Sequence, residues 1–92
     1  MDEKMVEQTV RERLQVVNDQ LILDGNVIGN DVNGMAEAFI STVAYEAPID
    51  VIDDGMTIDD SIARWIEIGK QNVSYRKIFG WEEPNDGGLH AI

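Results

Sequence analysis

A chain of 92 residues has the length of one small domain, and its 43% apolar and 27% charged residues fit a folding sequence rather than a disordered acidic tail. Eighteen Asp and Glu against seven Lys and Arg give a formal charge of -11, which disfavours DNA, RNA or an anionic membrane as a partner and favours a basic one. There is no cysteine for a disulfide, a thiolate nucleophile or a thiolate metal site, and no run long enough to span a membrane or basic-then-apolar leader at the start, so a cytoplasmic protein is expected.

Residues 1–23 are expected to form helix one. From Glu3 onward, apolar residues fall at Val6, Val10, Leu14, Val17 and Leu21, a spacing that defines one helical face. Glu7 and Arg11 are an i,i+4 pair, and Asp2 and Glu3 lie where the macrodipole favours negative charge. Asp24-Gly25-Asn26, between Leu21-Ile22-Leu23 and Val27-Ile28, reads either as a tight hairpin or as a helix stop. The stop is preferred, because the flanking runs are short and Leu21 already belongs to the helical stripe.

Helix two is expected over 31–47, with Asp31 or Asn33 as its cap and Val32, Met35, Phe39 and Val43 as its stripe, widened by Ala36 and Ile40. Pro48 should end it. The stretch from Pro48 to Met56, with Asp50, Asp53, Asp54 and Gly55, reads as a solvated acidic loop. A calcium loop with its glycine at Gly55 would need ligands at Ile52 and Ser61, so that pattern fails. Helix three should run over 57–79, opened by Thr57 with Asp60 in a capping-box-like position and closed by Gly80. Its main stripe is Ile58, Ile62, Trp65, Gly69 and Val73. Ile66, Ile68, Tyr75, Ile78 and Phe79 spread apolar surface around the rest. The tail 81–92 has no period and is either loose or ordered by a neighbouring subunit.

These elements predict an all-α protein of one domain, three helices with a long antiparallel helical hairpin. Helix three has more apolar surface than three helices can cover, so a homo-oligomer joined through that helix and Trp81 is expected.

For catalysis the residues offer nothing positive. His90, the only histidine, has no metal-ligating neighbours in sequence, and no nucleophile elbow, zinc-helix, phosphate-loop or dinucleotide pattern is present. The carboxylate pairs Asp53-Asp54 and Glu82-Glu83 are adjacent in sequence, without a reason for a raised pKa. A binding protein without a cofactor is expected, not an enzyme. Charge is distributed unevenly, however. Between Ser61 and Phe79 the chain carries Arg64, Lys70, Arg76 and Lys77 against Glu67 alone, a net +3 where the remainder carries -14. On one continuous helix Arg64, Gln71 and Tyr75 would fall within about 20° of each other, with Lys70, Ser74 and Lys77 on a neighbouring line. Arg64, Lys70, Gln71, Tyr75, Arg76 and Lys77 are therefore the candidate contacts for a phosphate-bearing ligand. Cations complementing the helix dipole, with Arg64 and Glu67 as a surface pair, are the plainer explanation of the same residues.

The stretch Arg64-Trp65-Ile66-Glu67-Ile68-Gly69-Lys70, followed by Gln71-Asn72-Val73, resembles the C-terminal helix of a phage family. These are the small helical-hairpin sponges that counter CBASS and Thoeris immunity by sequestering cyclic nucleotide or cyclic ADP-ribose signals. The family continues with a Gln-x-Gly-Phe-Met-like segment where this chain has Ser74-Tyr75-Arg76-Lys77. The resemblance implies a homo-oligomer holding its ligand uncleaved between subunits, with Arg64 and Lys70 as contacts, in the cytoplasm of an infected bacterium. Two functions follow as expectations. The first is sequestration of a small signalling nucleotide by helix three. The alternative is an acidic nucleic-acid mimic that binds a basic host defence nuclease or restriction complex through helix one, the acidic loop and Glu82-Glu83.

Overall fold

A computed structural model describes residues 2–31 and 34–81. Asp2 opens α1 (Glu3–Arg13), its Oδ1 accepting the Met5 amide at 2.8 Å. Val6 and Val10 point into the core as the four-residue spacing predicts, but the helix stops at Arg13. The next seventeen residues form an antiparallel meander of β1 (Leu14–Val17), β2 (Gln20–Leu23) and β3 (Asn26–Asn30), in the order β1-β2-β3. The fold is therefore α+β and not all-α, and the single helix over 1–23 is replaced by a helix and two hairpins.

Two two-residue turns explain why. Asn18 and Asp19 both have positive φ, at 53° and 60°, as do Asp24 and Gly25, at 52° and 83°. Positive φ at both central residues is the type I′ geometry whose twist suits a hairpin, and Asn, Asp and Gly reach it most cheaply. The register Val17↔Gln20 and Leu23↔Asn26 follows from those loop lengths. Leu14 and Leu21 are buried, as the helical stripe had them. In the sheet they lie on one face with Val16 and Leu23, through the pairs Leu14↔Leu23 and Val16↔Leu21. Val17, which the helical stripe placed inside, is on the exposed face.

The Oδ1 of buried Asp31 accepts the Ala36 amide at 2.8 Å and tethers the start of α2 (Ala36–Pro48), which begins later than the expected residue 31; Val32 and Asn33 lie outside the described residues. Phe39, Ile40, Val43, Ala44 and Ala47 form its buried face against α1. The helical rod continues past α2, which ends as expected at Pro48. Pro48 cannot donate a backbone hydrogen bond, and the chain passes into a wider π-helical turn, Ile49–Asp53, in which the Asp54 amide reaches back to the Ile49 carbonyl. The expected acidic loop thus holds a helical turn, and Asp50 is turned inward.

Thr57 caps α3 (Ile58–Gln71) by accepting the Asp60 amide at 3.0 Å. The helix expected over 57–79 breaks at Asn72, whose backbone is extended and whose Oδ1 accepts the amides of Ser74 and Tyr75, starting a separate α4 (Val73–Phe79). Gly80 follows in the left-handed conformation, at φ 70°. Trp81 then folds back over the sheet. Its Nε1 donates to the Ile28 carbonyl at 2.6 Å, and its ring lies where a side chain on Gly69 would stand, 2.7 Å from that position. Gly29 is as constrained, since a Cβ there would meet the Phe79 backbone at 3.0 Å. Trp81 and much of the apolar surface of α4 are in this way covered by the chain's own sheet and by Phe39, while Ile68 and Val73 stay exposed. Among the described residues no helix is long and apolar enough to cross a membrane.

Candidate functional site

The four cations of the 61–79 stretch do not converge. Arg64 is drawn to Asp50, with Nη1 at 3.0 Å and 3.2 Å from the two carboxylate oxygens, and its guanidinium sits 5.1 Å from the Trp65 ring centroid. Trp65 Nε1 donates to the same carboxylate at 2.9 Å and Ser61 Oγ at 2.8 Å. Ser61, Arg64 and Trp65 are spaced i, i+3, i+4 on α3, which sets three donors on one helical face toward one acceptor. Asp50 is only 4% exposed, and a buried carboxylate is tolerated where such donors surround it. The Arg64-Trp65 pair, the centre of the sequence resemblance, is thereby engaged within the chain. Asp50, expected in a solvated acidic loop that would contact a basic partner, is instead buried by these donors, and Ser61 received no role from sequence; the signal was an acid between apolar residues facing a helix with Ser, Arg and Trp in adjacent turns.

Beyond the break at Asn72 the helical wheel no longer applies. Arg64 and Gln71 share a face of α3, but Tyr75 leaves it. Its ring stacks on Phe79 with centroids 5.6 Å apart and an 8° interplanar angle, and meets the edge of Phe39 at 5.5 Å. Arg76 Nη1 donates to the Lys70 carbonyl at 2.9 Å, bracing α4 against the end of α3. Arg76 and Lys77 share a recess of about 250 Å³ with Val73 and Trp81. Of the six candidates, Arg76 and Lys77 are brought together and Lys70 touches Arg76 through its carbonyl. Gln71 is exposed at the helix end, Tyr75 is committed to the aromatic cluster, and Arg64 faces elsewhere.

Two other arginines are held by acids of the chain. Arg11 reaches Glu7 and Glu37, and Arg13 makes a two-point contact with Asp24, at 2.9 Å and 2.8 Å, while its second terminal nitrogen meets Asp59. The hydrogen-bonded Arg13 holds the Asp24 carboxyl below the ordinary carboxylate range. By contrast Glu3, Glu12, Asp19, Asp53, Asp54, Asp60 and Glu67 are exposed and form no ion pair among the described residues. No group of three or more acids or histidines among those residues is arranged to hold a metal ion. Glu82, Glu83 and His90 lie outside the described residues. Comparison with known proteins gave no match to a family model, a curated protein or a solved structure.

Proposed function

We propose that this is a non-catalytic acidic docking protein. It acts stoichiometrically by covering the basic, nucleic-acid-binding face of another protein, as an inhibitor of a host defence nuclease or restriction complex would. One observation carries the reading: from Leu14 to Ala63 there are ten Asp and Glu and no Lys, Arg or His, and Arg11, Arg13 and Arg64 from outside that span are taken up by acids. The exposed excess is negative, which attracts a basic face and repels nucleic acid and free nucleotides alike.

A second reading has its own support. The recess of Val73, Arg76, Lys77 and Trp81 joins two cations to an indole, the combination that takes a phosphate and a planar ring, and so keeps sequestration of a cyclic nucleotide or cyclic ADP-ribose type signal as a proposal. Ile68 and Val73 would then serve as the subunit contacts of an oligomer.

The two readings separate in paired titrations. On the docking reading the protein displaces duplex DNA from a basic defence nuclease, less effectively as salt rises, and Asp53→Asn with Asp54→Asn weakens it. Calorimetric titration of cyclic di- and trinucleotides and cyclic ADP-ribose isomers gives no heat. Heat with one of them, abolished by Lys77→Ala and untouched by the acid changes, would overturn the docking reading in favour of the second.

A further inference from the structure

The π-helical turn reverses the usual polarity of a helix. Asp50 is buried, while Ile49 and Ile52 on either side of it are 45% and 49% exposed, and Tyr45, one turn earlier, is 74% exposed. Here two isoleucines and a tyrosine face water within a few residues of an acid that faces the core, and local departures of this kind are expected where a surface is used. Tyr45 lies near the end of α2 and Ile49 and Ile52 on the wider π-helical turn, so these exposed apolar side chains follow one another along the rod. Ile49, Ile52 and Pro48 line a shallow recess of about 140 Å³ whose rim carries Glu3 and Asp53. This is an apolar patch with acidic borders: α2 and the π-helical turn contain no basic residue, and Glu3 is contributed by α1, where Lys4 follows it.

From this we infer that the Tyr45–Ile49–Ile52 ridge is the docking surface for an amphipathic helix of a basic protein, its Leu, Ile or Met face on the ridge and its flanking Lys or Arg beside Glu3 and Asp53. The inference rests on the docking function proposed above and names where contact is made. Charge complementarity selects this occupant. A second copy would bring the same acids face to face, and an anionic ligand would face Glu3 and Asp53. Recognition follows the helix-in-groove mode, with Tyr45 the large, rigid side chain of the kind that dominates interface energetics.

The test uses the full chain, isotope-labelled, and a synthetic peptide of about five helical turns made of Leu and Lys in amphipathic order. A scrambled peptide of the same composition and a Leu/Glu analogue serve as controls. The expected result is binding of the ordered Lys peptide alone, with amide shifts centred on Tyr45, Ile49 and Ile52. Tyr45→Ala or Ile49→Asn should weaken it at least about tenfold while the circular dichroism melt is retained. Equal binding of the scrambled peptide, or shifts centred away from the ridge, would overturn the ridge and leave the acidic docking reading intact. No binding of either Lys peptide would remove both. A dimer by sedimentation equilibrium that Ile49→Asn dissolves would give the ridge to a second copy and likewise defeat the inference.

Discussion

The meander and the π-helical turn each depart from a simple helix, for opposite physical reasons. In the meander every level agrees: Asn18-Asp19 and Asp24-Gly25 suit their positive φ, the strand pairs follow from two-residue loops, and Leu14 and Leu21 go inside. At the π-helical turn local and tertiary preferences conflict, and Asp50 goes inside because Ser61, Arg64 and Trp65, eleven to fifteen residues away, offer it hydrogen bonds. A region specified locally should lose stability in small steps when altered. A region held by a distant network should fail at its central group.

The largest effect is accordingly expected at Asp50. Asp50→Ala would strand the buried Ser61 hydroxyl and the Trp65 N–H, a loss of about 2–4 kcal/mol in urea unfolding. Asp50→Asn, which keeps an acceptor, should lose less. Equal stability of Asp50→Ala and the parent would show that the network does not seat the turn. Next comes Gly69→Ala, which gains helix propensity of about 1 kcal/mol but collides with the Trp81 ring, so a net loss of about 1–2 kcal/mol is expected together with a red shift of tryptophan emission.

In the meander, Gly25→Val places a β-branched residue at φ 83° and should cost about 1–2 kcal/mol in urea unfolding. Arg64→Ala is expected to be milder than Asp50→Ala, about 0.5–1 kcal/mol, because that guanidinium is half exposed to solvent. The smallest effect concerns acid. Asp24 has a folded pKa below its unfolded one, so its contribution is present above about pH 4 and fades as pH falls through the folded value. Thermal melts from neutral pH to about pH 2.5 should show a shallower acid loss in Arg13→Gln than in the parent.

Much of the core was legible from periodicity. Val6, Val10, Leu14, Leu21, Phe39, Ile40, Val43 and Ile62 are all buried where apolar spacing placed them. The secondary structure around them was partly hidden, because a stripe of Leu14, Val17 and Leu21 spaced three and four apart satisfies a helix, while Leu14, Leu21 and Leu23 also satisfy a paired strand. Only the turn chemistry separates the two, and Asp24-Gly25, weighed against a helix stop, was the deciding pair. Thr57 and Gly80 mark their helix ends directly, whereas Asn72, as good a cap, lies within a helical spacing that Ile62, Trp65, Gly69 and Val73 carry across it. The candidate site was less legible. Residue type shows that Arg64 can hold an anion, but that the anion is the chain's own Asp50 depends on a contact between segments fourteen residues apart.

The bulge in β3 reaches beyond the packing of Trp81. The register moves from Ile22↔Val27 to Leu21↔Gly29, which leaves Ile28 as an extra residue, and its carbonyl is occupied by the Trp81 indole. β3 is an outer strand of the sheet, and an outer strand with free amides and carbonyls is a template on which a further strand can grow into an aggregate. Here Phe79 lies against Gly29 and Gly80 against Asn30, so the end of α4 lines that border. Half-buried Trp81 thus takes up one carbonyl of that border, and a chain cut before it should leave the bulge open and raise light scattering on concentration.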